Sequence, residues 1–274
     1  MAILMGLISA LCWGSTDFMA GQAARRVGVT RSLFYSQSIG LLLLSVVLAF
    51  HPAWLRIGAL DAGLLVAIVA AICNLAAMAS LLKALSIGKA SVVAPIVSLY
   101  GAVTTLLAIL GGQSITGLTV IGLALCVAGA SLAGMAKSAG GQAEAPASIG
   151  FALLSALMFG LGFWLQGAFA VQQLGVASAL WVYYLTAVAI LSLLLARRRA
   201  FSAPPASLVA LQLSISLFSL LGFLSLALGA ATGQVTVLLG FVIRHERPSA
   251  AQWLGIAAIL AGVVLLKVTP AAFA

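Results

Sequence analysis

The sequence predicts an all-α membrane protein with ten transmembrane helices, built as two inverted five-helix repeats around a central cavity. Of its 274 residues, 64% are hydrophobic and 6% are charged, whereas about a quarter of the residues in a soluble domain are charged. The apolar residues are spread over the whole chain, which excludes a soluble domain held by a single anchor. The sequence also repeats itself, because residues 9–18 recur in altered form at 155–164.

Each predicted span is an apolar stretch, and most approach the length of about 20 residues that crosses a bilayer. The loops between the spans are short, which leaves no room for a domain outside the membrane. The first span contains Trp13 and Asp17 and lacks a basic leader, so a transmembrane helix is favoured over a cleaved signal peptide. The predicted spans are 2–22, 32–50, 57–82, 91–111, 117–136, 148–169, 176–196, 207–229, 235–243 and 252–268.

The internal repeat divides the chain into a first five-helix unit at 1–137, a linker at 138–147 and a second five-helix unit at 148–274. The tripeptide centred on Gly28 (Val-Gly-Val) recurs around Gly175 (Leu-Gly-Val). Because each unit has an odd number of spans, the second unit is predicted to cross the membrane in the opposite direction. Inverted repeats with a substrate site between them are typical of secondary transporters.

The second unit is shorter than the first, because the counterpart of 91–102 is missing around Gln234–Val235. The ninth helix, 235–243, is therefore predicted to be incomplete, since nine helical residues cover only about 13 Å of a hydrocarbon core about 30 Å thick. We interpret the gap as residues omitted from the chain, which would hold the two Cα atoms well beyond about 3.8 Å. A natural half-helix is the alternative.

The basic residues predict the orientation in the membrane. Eleven of the thirteen Lys and Arg residues lie in odd-numbered loops, and short cytoplasmic loops are rich in such residues. We therefore expect an inner-membrane protein whose odd-numbered loops are cytoplasmic and whose two termini are periplasmic. The net charge of +9 then reflects topology, and no nucleic-acid partner is expected. The eleven are Arg25, Arg26, Arg31, Lys83, Lys89, Lys137, Arg197, Arg198, Arg199, Arg244 and Arg247.

Asp17 is the sharpest single candidate for function. A carboxylate inside a membrane is costly and usually faces a water-filled cavity or a partner. One interpretation is a group that binds a substrate amine or couples transport to protons. The other is an acid near the cytoplasmic interface that pairs with Arg25 or Arg26.

Other residues deep in the spans are candidates for substrate contact, although helix packing explains each of them as well. Two tryptophans lie in the repeat-related first and sixth spans, and Asn74 lies one helical turn before Met78. Pro95 interrupts the fourth span, where it removes a backbone hydrogen bond, and is predicted to be a hinge. The predicted substrate-binding set is Trp13, Asp17, Asn74, Met78, Ser98, Tyr100 and Trp164.

Enzymatic function is disfavoured by the motifs that are missing from the sequence. There is no phosphate-binding loop of the type that binds ATP, and no cluster of acidic residues for a metal. His245 and Glu246 lie side by side in a basic turn without a second His or Cys nearby, so a metal site is not expected there. No catalytic residue, cofactor or metal is therefore predicted.

Two segments carry a resemblance to a known group of transporters. Residues 84–95, Ala-Leu-Ser-Ile-Gly-Lys-Ala-Ser-Val-Val-Ala-Pro, and the run 246–265, which begins Glu-Arg-Pro-Ser-Ala-Ala-Gln-Trp-Leu-Gly, resemble the drug/metabolite transporter superfamily. More narrowly, they resemble its ten-helix EamA-type permeases, and among these the bacterial amino-acid exporters. Trp13-Gly14 fits the same pattern.

The resemblance implies two five-helix repeats, a central cavity and export of neutral amino acids, aromatic ones included, by alternating access. The expected partners are a small-molecule substrate and the surrounding lipid, and the expected assembly is a monomer. A sugar phosphate or another metabolite is the alternative substrate within the superfamily. The alternative from a different class is a membrane scaffold or lipid-binding subunit that transports nothing.

Overall fold

The computed structural model describes residues 2–58, 61–112, 117, 120–122, 124–125, 127–129 and 145–228, and its regular elements there are all helical. The all-α prediction is confirmed for these residues. A short 3₁₀ turn (Pro52–Trp54) follows the second helix, and a π-helical turn (Gln166–Ala170) follows the sixth. The helices are α1 (Ala2–Val27), α2 (Val29–Phe50), α3 (Ala62–Ile87), α4 (Ala90–Val97), α5 (Tyr100–Leu110), α6 (Pro146–Leu165), α7 (Val171–Arg197) and α8 (Ala206–Leu228).

Five helical stretches of the described chain are long and apolar enough to cross a membrane, judged by length and composition. One of them, Pro146–Arg197, has 52 residues and would be about 78 Å long if it were straight. The ninth and tenth predicted spans, and the predicted break at Gln234–Val235, lie outside the described residues. The inverted ten-helix arrangement therefore stays a prediction.

Helix α3 begins later than predicted because its N-terminus is capped. The carboxylate of Asp61 accepts a hydrogen bond of 2.8 Å from the backbone N–H of Leu64, which satisfies one of the unpaired donors at the helix start. The segment before it includes the 3₁₀ turn and non-helical backbone. The third span is therefore 62–87 instead of the predicted 57–82.

The fourth predicted span, 91–111, is divided into two helices. Helix α4 contains Pro95 and ends at Val97, and α5 begins at Tyr100. Between them the backbone tightens, because the N–H of Leu99 bonds to the carbonyl of Ile96, three residues earlier. The discontinuity thus lies one turn after the proline, between a fully buried α4 and an α5 in which only Ala102 is buried.

Gly28 and Gly175, which the sequence repeat pairs, have nearly the same backbone conformation. Gly28 separates α1 from α2 with φ 83° and ψ 155°, and Gly175 bends α7 with φ 78° and ψ 163°. This region of backbone space is essentially restricted to glycine. The two segments therefore make the same kind of break between consecutive helices, which divides the 52-residue stretch into two lengths that each suit one bilayer.

The outer surface is apolar and the interior holds polar side chains. Leu42, Leu65 and Leu106 are exposed, while Gln37 and Asn74 are buried at 5% and 4% exposure. This is the reverse of a soluble protein, and it is the distribution that a hydrocarbon environment selects. Polar side chains that cannot face lipid are therefore directed toward the centre of the bundle.

Replacing Gly28 or Gly175 by Ala is expected to destabilise the protein. No atom lies within 4 Å of a Cβ built at either position, so the cost comes from backbone strain alone, about 1–3 kcal/mol at each site. The measurement is the temperature at which the detergent-solubilised protein loses its monodisperse size-exclusion peak. Gly150→Ala is the matched control, because Gly150 is a helical glycine that also has open space around it. An unchanged midpoint in both test variants would contradict the argument.

Candidate functional site

A cavity of about 680 Å³, including the part that opens to the outside, lies between helices from the two halves of the chain. In the first half of the chain, its lining residues lie on α1, α2, α3 and α5. In the second half, they lie on α6, the π-helical turn, α7 and α8. The lining residues are Trp13, Thr16, Asp17, Gln37, Asn74, Met78, Tyr100, Phe159, Phe163, Gln166, Tyr183, Ser219 and Phe223.

Helix α1 supplies the only acidic side chain among the described residues that line the cavity. Trp13, Thr16 and Asp17 have the spacing of one helix face, and the residues Thr16 and Asp17 are only 3% and 7% exposed. No salt bridge to Asp17 occurs within the part of the chain that the structure describes. The carboxylate therefore faces the cavity without a cationic neighbour in that part.

The arginines near the end of α1 are engaged elsewhere. Arg25 lies eight residues after Asp17, about 12 Å along the helix, and its Nη2 donates a hydrogen bond of 2.7 Å to the carbonyl of Gly88. Its Nε donates one of 2.9 Å to the carbonyl of Leu85. These bonds satisfy carbonyls at the C-terminus of α3, where a positive charge is favourable. Arg26 is exposed.

One wall of the cavity is a continuous cluster of aromatic rings. The ring of Phe163 on α6 is 6.2 Å from that of Trp13 and 5.3 Å from those of both Tyr100 and Phe159, measured between centroids. Phe223 on α8 meets the edge of Trp13 at 5.1 Å. These spacings are within the favourable range for aromatic pairs. The aromatic cluster therefore links α1, α5, α6 and α8 around the site.

Uncharged polar side chains form the remaining lining, and two hydrogen bonds join the halves of the chain there. Asn74 Nδ2 donates to Gln166 Oε1 at 3.0 Å, and Gln37 Nε2 donates to the hydroxyl of Tyr183 at 2.8 Å. Gln166 lies in the π-helical turn, a local irregularity that is frequent at functional sites. These bonds hold α3 to the π-helical turn and α2 to α7 at the level of the cavity.

Two oxygens of the described lining side chains have no hydrogen-bond partner among the residues that the structure describes. They are Thr16 Oγ1 and Asn74 Oδ1, and both are buried. An unsatisfied buried polar atom costs about 1–3 kcal/mol, so such atoms are informative in a folded protein. Both residues belong to the cavity wall, where a bound molecule is the natural source of a partner.

Five of the seven residues predicted for substrate contact line this cavity. Whether they contact a substrate stays a prediction, since placement alone does not decide it. The five are Trp13, Asp17, Asn74, Met78 and Tyr100.

Trp164 is placed outside the cavity lining, contrary to the expectation. Successive helical residues point about 100° apart, so the neighbouring Phe163 takes the position toward the cavity. Trp164 instead packs edge-on against Phe169 at 5.4 Å and beside Gly111. The repeat aligns Trp13 with Phe159 and Trp164 with Phe18, and Phe159 is the one of these partners that lines the cavity with Trp13.

Ser98 is also outside the lining, because its hydroxyl is used locally. Its Oγ donates a hydrogen bond of 2.9 Å to the carbonyl of Ala94, a common arrangement for serine in a helix. Pro95, the predicted hinge, is buried in α4 one turn before the break between α4 and α5. The structure thus places it next to a discontinuity but away from the cavity wall.

The sequence analysis missed Gln37 and Gln166, although a signal for both was present. An amide side chain in the middle of an apolar span is as informative as Asn74. Phe159, Phe163 and Phe223 carried no such signal, because an aromatic residue in a hydrophobic helix more often packs against another helix or lipid. Only the packing of α1 against α6 and α8 shows that these rings surround a cavity.

A model of one protein family matches the first half of the chain. Residues 1–135 match the EamA-like transporter family. Together with the helices that are long and apolar enough to cross a membrane, this match indicates an integral membrane protein whose first 135 residues are similar to a transporter family. The EamA-like family is part of the drug/metabolite transporter superfamily, and its members are normally not enzymes. No curated protein matches the chain.

Fourteen chains of solved structures also match this chain. One of them, titled "Crystal structure of protein", has 17% sequence identity and a TM-score of 0.60. That match covers 98% of each chain. The similarity extends over nearly the whole length, and at this identity it shows a shared fold.

Replacing Gly222 by Ala is expected to disturb the cavity. A Cβ at Gly222 would approach the indole of Trp13 more closely than real Cβ atoms approach a neighbour, so the ring or helix α8 must move. Overpacking of this kind costs about 1–3 kcal/mol, which the thermal midpoint in detergent measures. The control is Gly101→Ala, where nothing lies within 4 Å of the added Cβ. Equal midpoints for the two variants would refute the close packing of Gly222 on Trp13.

Proposed function

We propose that this protein is a secondary transporter that exports neutral amino acids, aromatic ones included, by alternating access. The single observation that carries the proposal is the cavity between the two halves of the chain, with an aromatic wall and uncharged amides opposite it. An aromatic or large apolar side chain suits the rings, and the polar end of an amino acid suits Asp17, Asn74 and Gln166. The match of residues 1–135 to a transporter family supports the same class of function.

The proposed cycle moves the two halves relative to one another, so that the cavity opens to one side of the membrane at a time. The break between α4 and α5 supports Pro95 as the hinge, because a discontinuous helix bends with little loss of backbone hydrogen bonding. Asp17 is the proposed proton-coupling group, and downhill flow without a coupled proton is the alternative. A monomer is the proposed assembly, because the described lining comes from a single chain.

A sugar phosphate or another anionic metabolite is the second candidate within the superfamily. Phosphate groups are bound through several charge-assisted hydrogen bonds, mostly from Arg and Lys. The lining residues that the structure describes include no Arg, Lys or His, and Lys83 is exposed on α3. The composition of the wall therefore favours an amino acid over a phosphate ester.

A scaffold or lipid-binding subunit is the candidate from a different class. Such a protein has no need of a cavity whose wall combines a carboxylate, two amides and a cluster of aromatic rings. Transport is therefore the better account of the interior.

The direction of export depends on how the protein is oriented in the membrane, and we propose that orientation from the distribution of its basic residues. The odd-numbered loops are proposed to be cytoplasmic in the inner membrane and both termini periplasmic. A reporter that is active only outside the cytoplasm, such as an alkaline phosphatase, is expected to be active when fused after Ala274. The same reporter fused in the loop after α7, next to Arg198, is expected to be inactive. The reverse pattern would overturn the orientation.

Purified protein in proteoliposomes is expected to take up labelled tryptophan or phenylalanine above the level of empty liposomes, and unlabelled neutral amino acids are expected to compete. If Asp17 couples transport to protons, Asp17→Asn will abolish the substrate-driven pH change inside the vesicles. The matched control is Asp61→Asn, the same chemical change at a helix cap outside the cavity, where Asn also caps well. Unchanged coupling in Asp17→Asn excludes the proton role, and no uptake of any neutral amino acid excludes the proposed substrate.

A further inference from the structure

We infer that the cavity recognises its substrate through a protonated amino group, and that a free carboxylate on the substrate is dispensable. The inference rests on the proposed function and narrows its substrate class. The preferred ligands are ammonium compounds with an aromatic or large apolar body. They include aromatic amines and the amides and esters of amino acids, as well as amino acids themselves.

The first argument is the charge of the wall. Asp17 is the one charged group among the described residues that line the cavity, and it is only 7% exposed. Charges interact more strongly in such a site than in water. An ammonium group gains a partner there, whereas a carboxylate meets a like charge and finds no cation in the described wall.

The second argument is the balance of hydrogen-bond donors and acceptors. An ammonium group has three donors and no acceptor. The cavity wall has two oxygens without partners, Thr16 Oγ1 and Asn74 Oδ1, in addition to the carboxylate of Asp17. Both residues line the cavity, so the N–H groups of an ammonium ligand would be the donors that these oxygens lack.

The third argument is the position of the aromatic cluster. Trp13 lies one helical turn before Asp17 on the same face of α1, and the ring of Tyr100 is also in the wall. Aromatic faces attract cations through their quadrupole, more strongly when water is excluded. The same rings accept an apolar body beside the ammonium group, so one end of the site provides both contacts.

The experiment is equilibrium dialysis of labelled tryptamine against the full-length protein in detergent, with indole compounds as competitors. Tryptamine is expected to bind and tryptophanamide to compete with similar affinity. Indole-3-propionate, which keeps the ring and carboxylate but lacks the amine, is expected to compete at least about tenfold more weakly. Asp17→Asn is expected to lower the affinity for tryptamine about tenfold or more, which corresponds to about 1.4 kcal/mol.

Two further variants separate binding from folding. Thr16→Val keeps the shape of the side chain and removes the unpaired hydroxyl, so it is expected to weaken tryptamine binding about threefold or more. Asp61→Asn is expected to bind like the wild type. All variants are compared at equal monodispersity, so that a loss of affinity is not a loss of folded protein.

Several results overturn the inference. They are the absence of tryptamine binding, competition by indole-3-propionate as strong as that by tryptophanamide, and wild-type affinity in Asp17→Asn. Uptake of tryptophan into proteoliposomes is a separate measurement. Tryptophan uptake without tryptamine binding keeps the proposed function and rejects amine recognition, whereas the opposite result keeps amine recognition and rejects amino-acid export.

Discussion

The free-energy cost of placing polar groups in hydrocarbon orders the interior of this protein. Outside the bundle there is no water to hydrate an amide or a carboxylate, so each such group has to point inward. Gln37, Asn74 and Asp17 do so from three different helices, while leucines such as Leu42 and Leu106 face outward. Polar side chains that converge from separate helices cannot all pack densely, and the space left between them is the cavity. The site is thus a direct result of the solvent around the protein.

Glycines determine how closely the helices approach at this level. Gly162 packs on the amide of Asn74, and Gly160 of the same helix packs on Val103 of α5. Gly222 of α8 packs on the indole ring of Trp13 on α1. Small residues at helix contacts are characteristic of membrane bundles, where association depends on close van der Waals packing. Here they also decide which side chains reach the centre, because a Cβ at any of these positions would push a member of the cavity wall aside.

A large part of this could be predicted from the sequence. The apolar spans set the helices, and the recurrence of glycine at 28 and 175 marked two breaks with the same backbone conformation. Asp17 and Asn74 stood out because polar groups are rare and expensive in a membrane. The sequence did not predict which of two adjacent aromatic residues on α6 faces the cavity. Trp164 and Phe163 are adjacent, and only the rotation of α6 about its axis decides which ring faces the cavity.

The sequence by itself determined that the protein lies in a membrane and consists of long helices. It also determined that a few polar residues, with one carboxylate among them, lie within the apolar spans. Composition suffices for this, because transfer into hydrocarbon depends on each side chain separately. Only the tertiary structure decided which side chains share a wall, that Arg25 bonds to the end of α3, and that Asn74 and Gln37 form hydrogen bonds with residues of the other half. Those properties depend on distances between residues far apart in the chain, which no local pattern encodes.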